Sequence, residues 1–156
     1  MNLDFFGLFD YVDGDGAVYE YTSSEFNTII RNITGNGVVY GEGKQMAVSS
    51  NGLTITIDTG IAFANGYIGQ IKTAKSITLN GAATVVMRVD VPNRTVSIIG
   101  VNSLTQTDLV YDLPLADVAA DGTITDRREY IYKPKEVMEK MNGITAGTET
   151  VYARYA

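Results

Sequence analysis

The sequence contains no cysteine, no histidine and no tryptophan, and only three of its 156 residues are proline. Without cysteine there is no disulfide and no thiolate nucleophile, and without cysteine and histidine the usual protein zinc sites are excluded. A histidine-based catalytic triad is excluded for the same reason. A chain without cysteine is compatible with folding in a reducing cytoplasm.

Long apolar runs are missing as well. No window approaches the roughly 18 consecutive apolar residues that a membrane-spanning helix requires. The first residues, Met1 to Phe6, lack the basic region and the apolar run of a secretory signal peptide. We therefore expect a protein that is made in the cytoplasm, is not exported by a signal peptide and does not insert into a membrane.

Charge and composition further narrow the class of protein. The length suits one domain with a substantial core. The formal net charge is −6, which argues against a protein held to nucleic acid by counterion release. Sixteen glycines, together with many threonine, valine and isoleucine residues, favour β-strands joined by tight turns.

Apolar residues alternate with polar ones over most of the chain after residue 50. The strongest strand is predicted at 84–91, where Val85, Met87 and Val89 share one face. A turn at 92–94 reverses the chain into a second strand at 95–101. Other short strands are predicted at 53–57, 61–64, 66–71, 76–79 and 113–118, with turns at Asn65-Gly66 and Asn80-Gly81. The spacing predicts a mainly β fold, an antiparallel β-sandwich or a barrel-like sheet.

One amphipathic helix is predicted near the N-terminus, over residues 22–33. Thr22 and Glu25 have the spacing of a capping box. Four apolar residues follow at helical spacing and form one stripe: Phe26, Ile29, Ile30 and Ile33. The stripe either packs on the protein's own sheet, the commoner arrangement, or forms an assembly surface.

The C-terminal segment has a different pattern, which divides the chain into a β-rich domain at 1–132 and an assembly element at 133–156. Pro134 suits the first turn of a short helix that ends at Gly143. After it, residues 148–155 alternate again, as a last strand or an extended arm. The apolar side chains of this arm are covered either by the chain's own sheet, the commoner arrangement, or by a neighbouring subunit. The candidate interface residues of this segment are Val137, Met138, Met141, Val151, Tyr152 and Tyr155.

Candidate chemical sites are few. The densest carboxylates are Asp112, Asp117, Asp121 and Asp126. They stand at predicted strand ends and turns, where aspartate is common for conformational reasons. Asp126 and Arg127 are a candidate structural ion pair that fixes a sheet edge or a subunit boundary. We expect no catalytic residues, no metal site, no cofactor and no enzymatic activity.

Several short segments form an ordered set over roughly residues 5–128: residues 5–6, 13–15 with the nearby Tyr19, 25–26, 36–38, 53–57, 60–67, 86–95, 115–118 and 124–127. Taken in order, these segments resemble the N-terminal attachment domains of tailed-phage and prophage proteins. The resembling proteins are baseplate, tail-fibre and receptor-binding proteins of phages that infect Gram-positive hosts.

The resemblance implies a β-rich adaptor of the virion, located in the tail or baseplate. Such a protein self-associates, often as a trimer, and docks onto other tail or baseplate proteins. A head fibre or capsid decoration protein is a minor alternative. The ten tyrosines suggest another alternative, an adhesin that stacks tyrosine rings on host cell-wall glycan.

Overall fold

The computed structural model describes residues 11–12, 18–19 and 23–133. In this part of the chain the protein is mainly β, with one α-helix, as the alternation of the sequence predicts. The elements in chain order are β1 (Tyr11–Val12), β2 (Val18–Tyr19), α1 (Ser23–Thr34), β3 (Gly37–Val39), β4 (Val48–Asn51), β5 (Thr54–Ile57), β6 (Gly60–Ala64), β7 (Tyr67–Ile71), β8 (Lys75–Thr78), β9 (Ala83–Asp90), β10 (Thr95–Val101), β11 (Val110–Val118), β12 (Ile124–Asp126) and β13 (Tyr130–Ile131).

The strands form three main sheets and one small hairpin. The longest strands make a four-stranded sheet in the order β10-β9-β11-β12. A second sheet has the order β13-β3-β6-β7, and a third has the order β4-β5-β8. Strands β1 and β2 pair only with each other within the described residues. Neighbouring strands are antiparallel, except that β13 runs parallel to β3.

All three main sheets contribute side chains to one apolar core. From the four-stranded sheet come Val85, Met87 and Leu115, which are fully or almost fully buried. The other two sheets add Val38, Ala62, Ala64, Ile71, Ile55 and Ile57 to the same cluster. The face of β9 that the sequence predicted to be apolar is therefore the face that points into the core.

Two tight turns lie where the sequence predicted them. Asn65 and Gly66 both adopt positive φ, at 52° and 83°, and join β6 to β7 in the geometry that favours Asn-Gly in hairpins. The β9–β10 hairpin closes with a hydrogen bond from the Arg94 N–H to the Val91 carbonyl (3.1 Å). Arg94 then takes a positive φ of 54°, and the four-residue turn at 91–94 returns the chain directly into the Asp90–Thr95 pair.

Strand β11 (Val110–Val118) is longer than the predicted strand at 113–118, and it contains Pro114. The pairing register with β9 shifts between Pro114 and Ala116. Proline has no N–H to donate to a neighbouring strand, so within sheets it is confined to edge strands, strand starts and bulges. Pro114 still stands opposite Val86, and the bulge leaves the next residue, Leu115, without a partner in β9. Leu115 and Ala116 are both fully buried.

Helix α1 confirms the predicted amphipathic helix, with bounds at Ser23 and Thr34. Gly35 follows it with a positive φ of 70°, a conformation that ends helices and favours glycine. The helix is too short to cross a membrane, and no other helix occurs among the described residues. The predicted capping residue Thr22 and the predicted C-terminal helix and arm lie outside the described residues.

Candidate functional site

The apolar stripe of α1 is the first candidate surface. Ile33 has 75% of its surface exposed and Phe26 has 44% exposed. Ile29 and Ile30, between them along the stripe, are half-buried. Scattered exposed apolar residues are normal on a protein surface, but a helical row of them is a feature of contact surfaces.

The contact between α1 and the sheet explains why the stripe is only partly buried. A Cβ atom built at Gly66 would lie 2.1 Å from the Asn27 carbonyl oxygen and 3.2 Å from Cβ of Arg31. The helix thus meets the β6–β7 turn through the flank that carries Asn27 and Arg31. At about 100° per residue, this flank lies about a third of a turn away from the centre of the apolar stripe.

The C-terminal end of α1 is fixed by polar contacts. The Thr34 hydroxyl donates to the Ile30 carbonyl (2.9 Å). In the following loop, the Asn36 side-chain oxygen accepts from the Asn65 N–H at 2.7 Å. The Asn36 side-chain amide donates to the Tyr111 hydroxyl at 2.9 Å. These bonds set the orientation of the helix on the domain and therefore the direction in which its stripe points.

The predicted ion pair between Asp126 and Arg127 is replaced by two different pairs. Asp126 binds Arg128 in a bidentate arrangement, with both nitrogen-to-oxygen distances at 2.9 Å. Arg127 instead approaches Asp117, at 3.3 Å. The reason is the alternation of extended chain, in which neighbouring side chains point to opposite sides and residues two apart share a side. The sequence-based assignment was therefore wrong by one residue.

Arg128 also connects β13 to a distant loop. Its Nη1 donates to the Gln45 carbonyl at 2.7 Å, and its guanidinium lies over the Tyr130 ring, 5.5 Å from the centroid. The bond with Asp126 raises the pKa of Arg128. The same bond is the main cause that lowers the pKa of Asp126. Both groups are thereby held in their charged forms.

Three tyrosine rings lie beside this arginine, and we refer to Tyr40, Tyr130, Tyr132 and Arg128 as the tyrosine–arginine cluster. The Tyr40 ring meets Tyr130 edge-on at a centroid distance of 5.6 Å, and it meets Tyr132 at 5.1 Å. Each such ring pair stabilises a fold by about 0.5–1.5 kcal/mol beyond the contribution of the surface area that it buries. The cluster joins residues about ninety positions apart in the sequence.

The loop at 40–46, which leads away from Tyr40, holds a strained backbone. Gln45 and Met46 adopt positive φ values of 57° and 50°, which cost roughly 1–2 kcal/mol for a residue with a side chain. The Met46 N–H donates to the Thr59 carbonyl at 3.0 Å, and the Met46 side chain is fully buried in the core. Burial of Met46 and the bond from Arg128 hold the loop in this conformation.

A second arginine–aspartate pair lies inside the four-stranded sheet. Arg88 and Asp112 stand directly opposite each other on β9 and β11. Arg88 Nε donates to Asp112 Oδ1 at 2.7 Å, and Nη2 donates to Oδ2 at 2.9 Å. The Thr105 N–H donates to the same carboxylate at 2.9 Å. Asp112 is fully buried, and its pair fixes the 103–109 loop over the sheet.

Sequence reasoning missed this buried pair. The available signal was Arg88, a charged residue among apolar ones in the strongest predicted strand. Its partner could not be chosen from the sequence, because the register of β9 against β11 includes the bulge after Pro114. The hydrogen bond with Asp112 raises the pKa of Arg88.

The four carboxylates singled out in the sequence do not converge on one site. Asp112 pairs with Arg88, Asp126 with Arg128, and Asp117 accepts from the Thr84 hydroxyl at 2.7 Å. Asp121 accepts from the Thr123 N–H within its own turn at 2.9 Å, and this bond lowers the pKa of Asp121. Among the described residues, no group of three or more acidic side chains is arranged to hold a metal ion.

The other predicted interface residues lie outside the described residues: Val137, Met138, Met141, Val151, Tyr152 and Tyr155.

Comparisons of the chain with family models, with curated proteins and with solved structures find no match. The features that bear on function are therefore α1, the tyrosine–arginine cluster and the sheet edges, together with the resemblance in the sequence.

Proposed function

We propose that this chain is a structural protein that acts through protein–protein contacts, as an adaptor in the tail or baseplate of a phage virion. The resemblance of its ordered segments to phage attachment domains motivates the virion assignment. The observation that carries the proposed assembly is the exposed stripe on α1. Closed homo-oligomers bury matching apolar patches, and a trimer is the assembly that the resemblance favours.

The geometry of α1 supports a contact with a second copy of this chain. The helix meets the β6–β7 turn through Asn27 and Arg31, so its stripe points elsewhere. Ile33 is the most exposed apolar side chain among the large ones described. The flanking carboxamide of Asn32 is exposed on a different side of the helix, which provides a matched control position.

We also propose that the three main sheets enclose their shared core as a barrel-like arrangement. Two contacts between sheets support this. The Ser50 hydroxyl at the end of β4 donates to the Gly122 carbonyl beside β12 at 2.7 Å. On the other side, a Cβ atom at Gly100 of β10 would lie 2.4 Å from the Leu79 side chain, which follows β8.

The assembly proposal is tested by measuring the mass of the purified chain with light scattering and sedimentation velocity. The unmodified chain is expected to be an oligomer. Ile33→Glu is expected to shift it toward monomer, because a charge is then buried at the interface without a partner. Asn32→Glu is expected to leave the mass unchanged, since the added charge lies off the stripe.

A monomer at high concentration for the unmodified chain would contradict the proposal. So would equal effects of the two substitutions.

Tyr40 is the exposed member of the tyrosine–arginine cluster, and it provides the test of the glycan-binding alternative. Binding on a cell-wall glycan array that Tyr40→Ala abolishes would favour the adhesin instead.

A further inference from the structure

A groove of about 290 Å³ lies where three strand edges face one another. It is lined by parts of β7, β8 and β10, and the apolar residues at its surface include Ile71, Ile77, Met87 and Val96. Among the described residues, each of these three strands is the last in its sheet and has a neighbour on one side only. Edge strands present a row of unpaired backbone donors and acceptors.

Val96 shows that the groove opens onto the core side of the sheet. It stands opposite Val89 in the β9–β10 pairing, and residues opposite one another share a face. Val89 is almost fully buried, whereas Val96 has 44% of its surface exposed. An inward-facing valine at this position is thus left uncovered by the described residues.

The backbone N–H and carbonyl groups of Val96 in β10 point toward the open edge of the sheet. The Val91 N–H donates to the Leu109 carbonyl at 2.8 Å, so by alternation the backbone groups of every second residue before Val91 in β9 point toward β11. The residues of β9 between them point toward β10, where their partners are Thr95, Ser97 and Ile99. By the alternation of antiparallel pairing, the backbone groups of Val96 and Ile98 face the open edge.

These features fit an extended polypeptide segment. At about 290 Å³ the groove lies at the lower end of the roughly 300–1,000 Å³ of pockets that enclose drug-sized ligands. Added strands obtain affinity from backbone bonds to an open edge, and specificity from alternate side chains in a groove. Lys75 is the charged residue of the groove lining within the described part of the chain, so a carboxylate on the added segment would complement it.

The chain itself contains a segment of this chemistry. In residues 148–155, which lie outside the described residues, Glu149 and Val151 alternate with threonine, and Ala153 and Tyr155 continue the same row. We propose that the groove of one copy takes residues 148–155 of a second copy as an added strand beside β10, with Glu149 near Lys75. This inference rests on the proposed self-assembly and names the segment that exchanges.

Disulfide trapping in the full chain tests the proposal, because the natural sequence contains no cysteine. One preparation carries Val96→Cys, a second carries Val151→Cys, and the two are mixed under mild oxidation. A covalent dimer of the two variants is expected at least about tenfold faster than for the control mixture, because binding raises the local thiol concentration. The control mixture pairs Val151→Cys with Ala120→Cys, an exposed position outside the groove.

A charge exchange supplies the second measurement. Glu149→Lys is expected to slow trapping by about two- to fivefold, the effect of an exposed ion pair, and Lys75→Glu in the partner variant is expected to restore it. Trapping no faster than the control would overturn the proposal. A disulfide that forms only within single chains of the double variant Val96→Cys/Val151→Cys would overturn it too. Oligomers that depend on Ile33 but do not trap would leave the assembly proposal standing and refute this one.

Discussion

The two bidentate arginine–aspartate pairs differ mainly in their surroundings. Asp112, bound to Arg88, has no exposed surface and lies in the middle of the largest sheet. Asp126, bound to Arg128, has 55% of its side chain exposed at the end of a short strand. The bonds have nearly the same lengths, so bond geometry alone does not determine what each pair contributes. The difference indicates that burial determines the cost of removing one partner.

The largest effect is expected for Arg88→Ala. The substitution leaves the buried carboxylate of Asp112 without its charged partner, and breaking a buried pair in this way costs about 3–5 kcal/mol. Chemical denaturation of the variant measures the change in the free energy of unfolding. The double variant Arg88→Met/Asp112→Leu is expected to recover part of the loss, because it leaves no buried charge. A loss below about 1 kcal/mol for Arg88→Ala would erase the contrast between the pairs.

An intermediate effect is expected for Arg128→Ala. Asp126 can be solvated when its partner is removed, but the substitution also deletes the bond to Gln45 and the contact with Tyr130. We expect a loss of about 1–2 kcal/mol, within the range for hydrogen bonds that involve a charged group. Arg127→Ala is the matched control, since the contact of the Arg127 guanidinium with Asp117 is long and exposed. Equal melting temperatures for the two alanine variants would show that the connection to the 40–46 loop contributes nothing.

The smallest effect is expected from pH. The pKa of Asp126 is lower in the folded protein than its usual value of 3.8, so the folded state binds fewer protons than the unfolded state in this range. The resulting stabilisation is present above pH 3.8 and is lost as pH falls through the lower, folded value. Unfolding of Asp126→Asn, compared with the unmodified chain between pH 6 and pH 2, measures it. In an Arg128→Ala background the pH-dependent difference is expected to shrink, and an undiminished difference would assign it to another group.

Local patterns predicted much of the fold. Alternation placed β5, β6, β7, β9 and β10 within a few residues, and Asn65 and Gly66 marked a turn that the structure confirms. Helix α1 followed from four apolar residues at helical spacing. These elements depend on residues that are neighbours in sequence, where steric preferences and period have the most influence.

What the sequence could not predict depends on contacts between distant segments. The partner of Arg88 required the register of β9 against β11, and the partner of Asp126 required knowing that residues 126–128 are extended. The tyrosine–arginine cluster brings Tyr40 to Tyr130 through the parallel pairing of β3 with β13. The positive φ values of Gln45 and Met46 could not be predicted, because neither residue is a glycine. Burial and bonds to other segments impose their conformation.

The parallel pairing of β13 with β3 also has a consequence for synthesis. The strand partner of Val38 is Tyr130, which is synthesised about ninety residues later. Contacts between residues so far apart in sequence form slowly, because the intervening chain must first be ordered. Until residue 131 has left the ribosome, the edge of β3 is open to other nascent chains, and unpaired edges of this kind promote aggregation. Strand β13 therefore covers the edge of β3 only after the residues that separate the two strands have been made.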